Sequence, residues 1–518
     1  MFIKVSLLLL FFAVTIFIGL YFRKRAANVN DFVLGGRNVG PWLTAFSYGA
    51  TYFSAVVFVG YAGQFGWRFG TAAVWIGLGN AFIGSLMAWF ILGRRTRIMT
   101  NHIKSATMPE FFGTRYLSSA LKIGSSIIIF IFLIPYTASL YNGLSRLFSM
   151  AFGVPFEYCI IAMGILTAIF VVAGGYFATA VNDFIQGTIM LIGITAIIVV
   201  VLKQNGGLLS AIDSLALVSD QKAARGTVPG VFTSFFGPDP ISLIGVLILT
   251  SLGTWGLPQM VARFYSIKSE TMISKGAIVS TFFAIIIAGG CYFLGSFGRL
   301  YAHMPQIYNA NGGVIFDAII PTILSGFSEI MIGLIIVLVF AASISTLSSL
   351  VMASSSTLTL DFIRGHIVKK MSDKSQLFII RVLIVIFIVI SSVIAIFQYK
   401  GGITFIAQLM GVSWGALAGS FLAPFLYGLY WKRASKIAVW CCFIFSTSVM
   451  ILNVLFRSAF PAILQSPINA GAFCMLAGLV IVPLVSSFTK APEKSTVDNC
   501  FSCYDQVVTV KVKDDLGN

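Results

Sequence analysis

The densest chemistry in this sequence is a run of hydroxyl side chains inside an apolar stretch. Residues 341–361 read AASISTLSSLVMASSSTLTLD. Ala342, Ser345 and Thr346 stand at i, i+3 and i+4, so they share one helix face. Two hydroxyls and a freed carbonyl on one face make a cluster of hard oxygens. A desolvated Na⁺ calls for such oxygens, and further carbonyls can come from an unwound stretch of a facing helix. A second reading stays open, in which the hydroxyls bond back to the i−4 carbonyl and simply let helices approach.

Two other apolar stretches carry residues that interrupt a helix. Residues 41–54 read PWLTAFSYGATYFS, with small and hydroxyl residues in the middle. Residues 250–259 read TSLGTWGLPQ, with glycines and a proline at the corresponding depth. In hydrocarbon every backbone group needs a partner, so a break is tolerated only where it lines a cavity. Paired breaks at matching places in two halves of a chain point to a binding site between them. Ordinary packing through small residues is the alternative.

The composition says which elements must hold these residues. The chain has 518 residues, of which 58% are hydrophobic and only 10% charged, and its mean hydropathy is +0.95. Soluble domains carry about 25% charged residues. This composition excludes a soluble enzyme, a disordered protein and a nucleic-acid-binding module. The net charge of +17 then reads as positive charge gathered at a cytoplasmic face. An all-α, multi-span membrane fold of about thirteen crossings follows, with spans near 2–22, 41–66, 71–93, 121–151, 156–176, 181–202, 240–261, 275–300, 328–356, 376–399, 403–430, 437–457 and 467–488. With the N-terminus outside, the inner segments hold 25 of the 34 Lys and Arg residues. A missed or invented span would scramble that bias, so the C-terminus is placed in the cytoplasm. Spans two and seven run in opposite directions, which makes 41–202 and 240–430 candidate inverted repeats. Residues 203–239 and 301–327 read as polar connections, and the stretch around Pro109 as a short interfacial piece. Residues 1–488 form one transporter domain in this reading, and 489–518 a cytoplasmic tail.

Seven scattered cysteines do not read as a disulfide framework. The Cys500-x-x-Cys503 pair is lone, and no second pair completes a metal site. Residues 2–22 lack a small-residue cleavage site, so no removable signal peptide is expected. The three histidines, His102, His303 and His366, fall in loops far apart in the chain, without metal-ligand spacing. Neither an enzyme nor an organic cofactor is expected. Asp183 lies about three residues inside an apolar span, where a carboxylate costs a few kcal/mol and is a functional suspect by default. An interfacial Asp at the cytoplasmic mouth is the plainer alternative. Glu329, at the outer edge of its span, reads as such an interfacial carboxylate.

Motifs then carry a resemblance. The stretch Ala342-x-x-Ser345-Thr346-x-x-Ser349, ending in Asp361, resembles the sodium-site helix of the sodium:solute symporter family. Residues 171–186, VVAGGYFATAVNDFIQ, resemble the family's Gly-Gly…Asp-x-x-Gln signature. Residues 425–433, FLYGLYWKR, resemble its second signature, although the family's following Gly-Ala is Ile437-Ala438 here. The likeness runs in order over residues 2–488. It implies a leucine-transporter-like 5+5 inverted repeat and Na⁺ as coupling ion. It also implies a sodium site built from the carbonyls of Ala50, Phe53 and Ala342 with the hydroxyls of Ser345 and Thr346. Asp183 matches the family's acidic residue near the sodium exit.

The solute pocket is expected at mid-membrane between the two breaks, walled by Tyr52, Ser54, Val57, Thr250, Thr254, Trp255, Gln259 and Gln408. No Lys or Arg is expected at that depth, so an anionic group would meet half-helix N-termini and hydroxyls. Val56 and Val57 stand where the family's sugar carriers place polar residues, which disfavours sugar. Gly256-Leu257-Pro258-Gln259 with Arg263 resembles the pantothenate, monocarboxylate and proline branches. The expected function is sodium-coupled import of a small carboxylate-bearing solute across the cell membrane by alternating access. A sensor on a transporter scaffold, a sodium-independent uniporter or channel, and a sugar symporter are the alternatives. One Na⁺ falling through 100 mV supplies about 2.3 kcal/mol. A tenfold gradient adds about 1.4 kcal/mol. Together these concentrate a neutral or zwitterionic solute roughly 500-fold.

Overall fold

The computed structural model describes residues 2–26, 28–368, 370–400 and 406–505. Nearly all of them are helical, and no strand forms among the described residues. Among the described residues, ten helices are long and apolar enough to cross a membrane, eleven if the bent pair Pro240–Gly256 and Pro258–Ser266 is one span. The expected thirteen are not all separated in this count, for two reasons. The expected spans 156–176 and 181–202 lie in one run, Phe156–Gln204. The second half of 41–66 runs on into 71–93 as Val56–His102. Both runs contain a glycine in a conformation that side chains avoid, Gly175 (φ 59, ψ −165) and Gly70 (φ 59, ψ −139). A Cβ on Gly175 would stand 2.9 Å from the Phe32 ring, and one on Gly70 only 2.0 Å from the Phe232 carbonyl oxygen. Each glycine is therefore required both by its backbone and by a close neighbour. The start of the expected span 403–430 falls partly outside the described residues, and its helix is described over Ile406–Tyr430.

The two expected interruptions are present and are built alike. Helix Pro41–Tyr52 ends at Phe53, which is extended (φ −100, ψ 101). The Ser54 carbonyl then accepts from the amides of Val57 and Phe58, both at 3.0 Å, while the Ser54 hydroxyl accepts from the Val56 amide at 3.3 Å. Ser54 thus caps the resumed helix as a hydroxyl residue does. In the second break Leu257 is extended (φ −82, ψ 123), and the chain bends by 46°. Pro258 has no N–H to continue the ladder. The Leu257 carbonyl accepts from Met260 and Val261, both at 3.0 Å.

Helix Ile406–Tyr430 lies near the centre, against Pro240–Gly256, Ser119–Phe152, Lys436–Leu455 and Pro467–Phe488. Small residues permit these approaches: a Cβ on Gly256 would stand 2.8 Å from Ala418, and one on Gly415 2.7 Å from Gly471. Helix Glu329–Thr357 packs on Pro41–Tyr52 and on Phe156–Gln204.

The connection 301–327 departs from its reading as a polar loop. Phe316–Leu324 is a helix that is almost wholly buried, too short to span and so hidden from a search for spans. The stretch around Pro109 is the helix Met108–Arg115. Thr107 caps it, accepting from the Glu110 amide at 3.1 Å, while Glu110 accepts from the Ala106 amide at 2.8 Å. The first part of the expected tail folds back as Lys494–Phe501. Arg95 is held there between Tyr430 (4.1 Å) and Tyr504 (4.6 Å). Residues 506–518 of that tail lie outside the described residues.

Candidate functional site

The first break frees carbonyls, and the hydroxyl-rich helix collects them. With residues 54 and 55 withdrawn from the ladder, the carbonyls four residues earlier, on Ala50 and Thr51, lose their usual partners. The Ser345 hydroxyl reaches Ala50 O at 2.9 Å and Ala342 O at 3.0 Å. The Thr346 hydroxyl stands 3.3 Å from Ala50 O, 3.2 Å from Thr51 O and 3.1 Å from Ala342 O. A hydroxyl carries one proton. Two such protons cannot satisfy all of these contacts at full strength, so lone pairs converge without matching donors.

This arrangement suits a cation. Ca²⁺, of nearly the same ionic size as Na⁺, takes oxygens at about 2.3–2.6 Å. Adjacent oxygens around such an ion lie about 3.4 Å apart in octahedral geometry. The observed spacings of 2.9–3.3 Å need widening by only a few tenths of an ångström. On entry of the ion the two hydroxyls would turn their protons outward and present oxygen.

Four of the five sodium ligands expected from the sequence, Ala50, Ala342, Ser345 and Thr346, come together here. Phe53 and Ala342 line one small apolar cavity with Ser54 and Phe58, which brings Phe53 to the edge of the cluster. The Thr51 carbonyl is an addition that sequence reasoning missed. It follows from the break itself, because the freed carbonyl of residue 50 has a freed neighbour.

A buried ionic group lies beside the cluster. The Arg263 guanidinium donates to Thr51 Oγ1 at 2.7 Å, to Ser349 Oγ, and to Asp183 Oδ2 at 3.5 Å. The Ser47 hydroxyl also donates to Asp183. Arg263 and Asp183 are 2% and 1% exposed, so the pair is buried inside the protein. Arg263 brings a basic side chain beside the oxygen cluster, which sequence reasoning did not anticipate. Its guanidinium shares Thr51 with the oxygen cluster, because helix Pro258–Ser266 leaves the second break at a 46° bend. The same group fronts a cavity lined by Gln259, Tyr176, Thr179, Thr107, Met108 and Ser356. Glu329, by contrast, is exposed and 4.0 Å from Lys4, as an interfacial carboxylate would be.

The expected solute-pocket residues divide. Tyr52 donates to the Thr250 carbonyl. Thr254 donates to Gly84 O at 2.9 Å, and the Trp255 indole to Ile83 O at 3.0 Å. The Thr250 hydroxyl reaches Asn80 Oδ1 at 2.8 Å. These four therefore converge on one turn of Val56–His102, with Ser54 and Val57 buried at the adjoining break. Gln259 stands apart, in the cavity beyond the second break. Gln408 is half-buried on the first turn of Ile406–Tyr430, and no described hydrogen bond draws it into the set. Among the described residues no three His, Cys, Asp or Glu side chains form a metal-binding group.

The chain resembles known proteins over most of its length. The chain is 29% identical over 490 residues to the osmoregulated proline transporter OpuE of Bacillus subtilis (strain 168), covering 94% of this chain and 95% of that protein. It is 30% identical over 436 residues to the sodium/proline symporter of Staphylococcus aureus (strain JH9), covering 82% and 81%. Its fold matches that of a Na⁺-coupled sialic acid symporter solved in a substrate-bound outward-open state, with a TM-score of 0.74, 18% identity, and coverage of 95% and 99%. A nucleobase-cation-symport-1 family transporter in a closed conformation matches with a TM-score of 0.51 and 14% identity, covering 90% and 97%. The model of the sodium:solute symporter family matches residues 32–444, and the chain belongs to that family.

Proposed function

We propose that this chain imports proline, or a compact zwitterion like it, into the cell together with Na⁺. The oxygen cluster shared by Ala50, Thr51, Ala342, Ser345 and Thr346 carries the reading. Its ligands come from two helices at once, so an ion held there stabilises the arrangement in which Pro41–Tyr52 and Glu329–Thr357 stay together. The solute would bind on the far side of the same break, at Tyr52 and the turn around Thr250. Each then favours the conformation that the other needs, which is coupling in thermodynamic form. The relatives' names support proline as solute, and Thr254 and Trp255, beside the second break, are proposed to shape its pocket.

Thirteen crossings remain our reading of the topology. Phe156–Gln204 and Val56–His102, at 49 and 47 residues, are each far longer than one crossing needs. Turning them at Gly175 and Gly70, and joining 41–52 to 56–69, gives thirteen. The N-terminus is then outside, the C-terminus cytoplasmic, and 41–202 and 240–430 form an inverted repeat. The likeness of the two breaks, each with one extended residue and a doubly accepting carbonyl on it or on the next residue, supports that pairing. Asp183, paired with Arg263, is proposed as the acid that Na⁺ meets as it leaves towards the cytoplasm.

The test is uptake of labelled proline into proteoliposomes with and without an inward sodium gradient. Accumulation that collapses without the gradient is expected. Uptake indifferent to sodium would overturn the symport reading.

A further inference from the structure

Away from the site described above, three spans meet at one basic cleft. Helices Ser119–Phe152 and Lys436–Leu455 begin beside it, and Pro467–Phe488 ends just before it. The cleft has a volume of about 730 Å³, within the range of about 300–1,000 Å³ that small-ligand sites occupy. Its lining carries three cations, Arg115, Lys436 and Lys490, against one carboxylate, Glu493. Glu493 already accepts from the Ser495 hydroxyl at 2.7 Å. Lys436 and Lys490 are exposed, and neither has an ion-pair partner among the described residues.

The buried wall of the cleft is also short of negative charge. Arg115 is fully buried. Its Nε donates to Gly428 O at 3.0 Å, and its Nη2 to Trp431 O at 3.0 Å and Lys432 O at 3.3 Å. Its Nη1 has no acceptor. The carbonyls at the end of Ile406–Tyr430 offset part of the guanidinium charge, but no carboxylate pairs with it among the described residues. A buried charge is ordinarily paired. The amides of Lys436 and Ile437 precede the first hydrogen-bonded turn of their helix, so they add partial positive charge on the same side.

One apolar stripe leads away from this cleft. Ile437 lines it, and Ile444 and Ile451 follow at intervals of seven residues, which keeps all three on one helix face. They are 47%, 59% and 47% exposed along the length of a span. A cationic cleft at the helix ends, continued by an apolar seam, has the two chemistries of a phospholipid in the right order. Basic pockets between spans are where acidic headgroups bind. We infer that this cleft holds the phosphate of an anionic phospholipid, with Lys436 and Lys490 at the phosphate and an acyl chain along Ile437, Ile444 and Ile451. Free phosphate shares the headgroup chemistry but gains nothing from the isoleucine seam.

The test uses the purified full-length protein, stripped of lipid in a neutral detergent. Its melting temperature is followed as dioleoyl phosphatidylglycerol, dioleoyl phosphatidylcholine or inorganic phosphate is added in parallel series. Phosphatidylglycerol should raise it saturably, and the other two should do little. Lys436→Gln/Lys490→Gln should raise the phosphatidylglycerol needed for half the effect about tenfold or more. Lys268→Gln/Lys275→Gln removes the same charge from exposed lysines outside the cleft and should stay within about threefold of the wild type. Equal shifts in the two double variants, no rise with phosphatidylglycerol, or an equal rise with phosphatidylcholine overturns the inference. A full effect from inorganic phosphate alone overturns the lipid as the ligand.

Discussion

Thr346→Ala separates the two roles its hydroxyl could have. In the structure this oxygen lies 3.1–3.3 Å from three carbonyls on two helices. If it served only to join helices, its loss would cost about 0.6 kcal/mol, the average for such bonds in a membrane protein. That is roughly a threefold effect, and it would appear in stability as much as in sodium dependence. If it is an ion ligand, the lost contact is to a charge and is worth about 1.5–3 kcal/mol. The sodium concentration for half-maximal uptake then rises roughly 10- to 150-fold. Thr346→Ser keeps the oxygen and should stay near the wild type. Ser348→Ala is the matched control, because Ser348 is equally buried but bonds only back to Ile344 O, at 2.7 Å. The assay is initial-rate proline uptake into proteoliposomes over a sodium titration. A Thr346→Ala effect no larger than that of Ser348→Ala refutes the ligand assignment.

Other predictions follow from neighbouring contacts. Asp183→Asn leaves the buried Arg263 without its carboxylate and should destabilise the protein by about 3–5 kcal/mol, read as a lowered melting temperature that Arg263→Gln in the same chain partly restores. Trp255→Ala should alter the preference among proline analogues in competition assays with little change in sodium dependence, because its indole is tied to Ile83 O on the solute side of the break. In the loop 205–239, burial raises the pKa of Asp220, but the Arg299 hydrogen bond and the Lys222 amide outweigh it and hold the carboxylate below its ordinary value. A lowered folded pKa contributes stability above the unfolded value of about 3.9 and loses it as pH falls through the folded value. Loop 205–239 should therefore become more sensitive to an acid-active protease only well below pH 4, and Asp220→Asn should make the same loop more sensitive to a neutral protease at pH 7.

Much of the site was legible because its signals are local. The i, i+3, i+4 spacing of Ala342, Ser345 and Thr346 sets their common face without any tertiary knowledge. Pro258 and the glycines around it mark a break by their own backbone chemistry. What stayed hidden depends on where a broken helix turns. Arg263 sits in the sequence like any basic residue near a span end, and only the 46° bend carries it inward to Thr51 and Asp183. Gln259, four residues earlier, is taken by the same bend away from the pocket to which it was assigned. The short buried helix Phe316–Leu324 escaped because nine residues cannot satisfy a search for spans.

Binding of radioactive ²²Na⁺ to the purified protein measures the central idea most directly, since it needs neither solute nor transport. Saturable binding that K⁺ does not displace is expected in the wild type and in Ser348→Ala. The double variant Ser345→Ala/Thr346→Ala should show none over the same range. Equal binding by wild type and double variant would mean that the ion, if held, is held somewhere else.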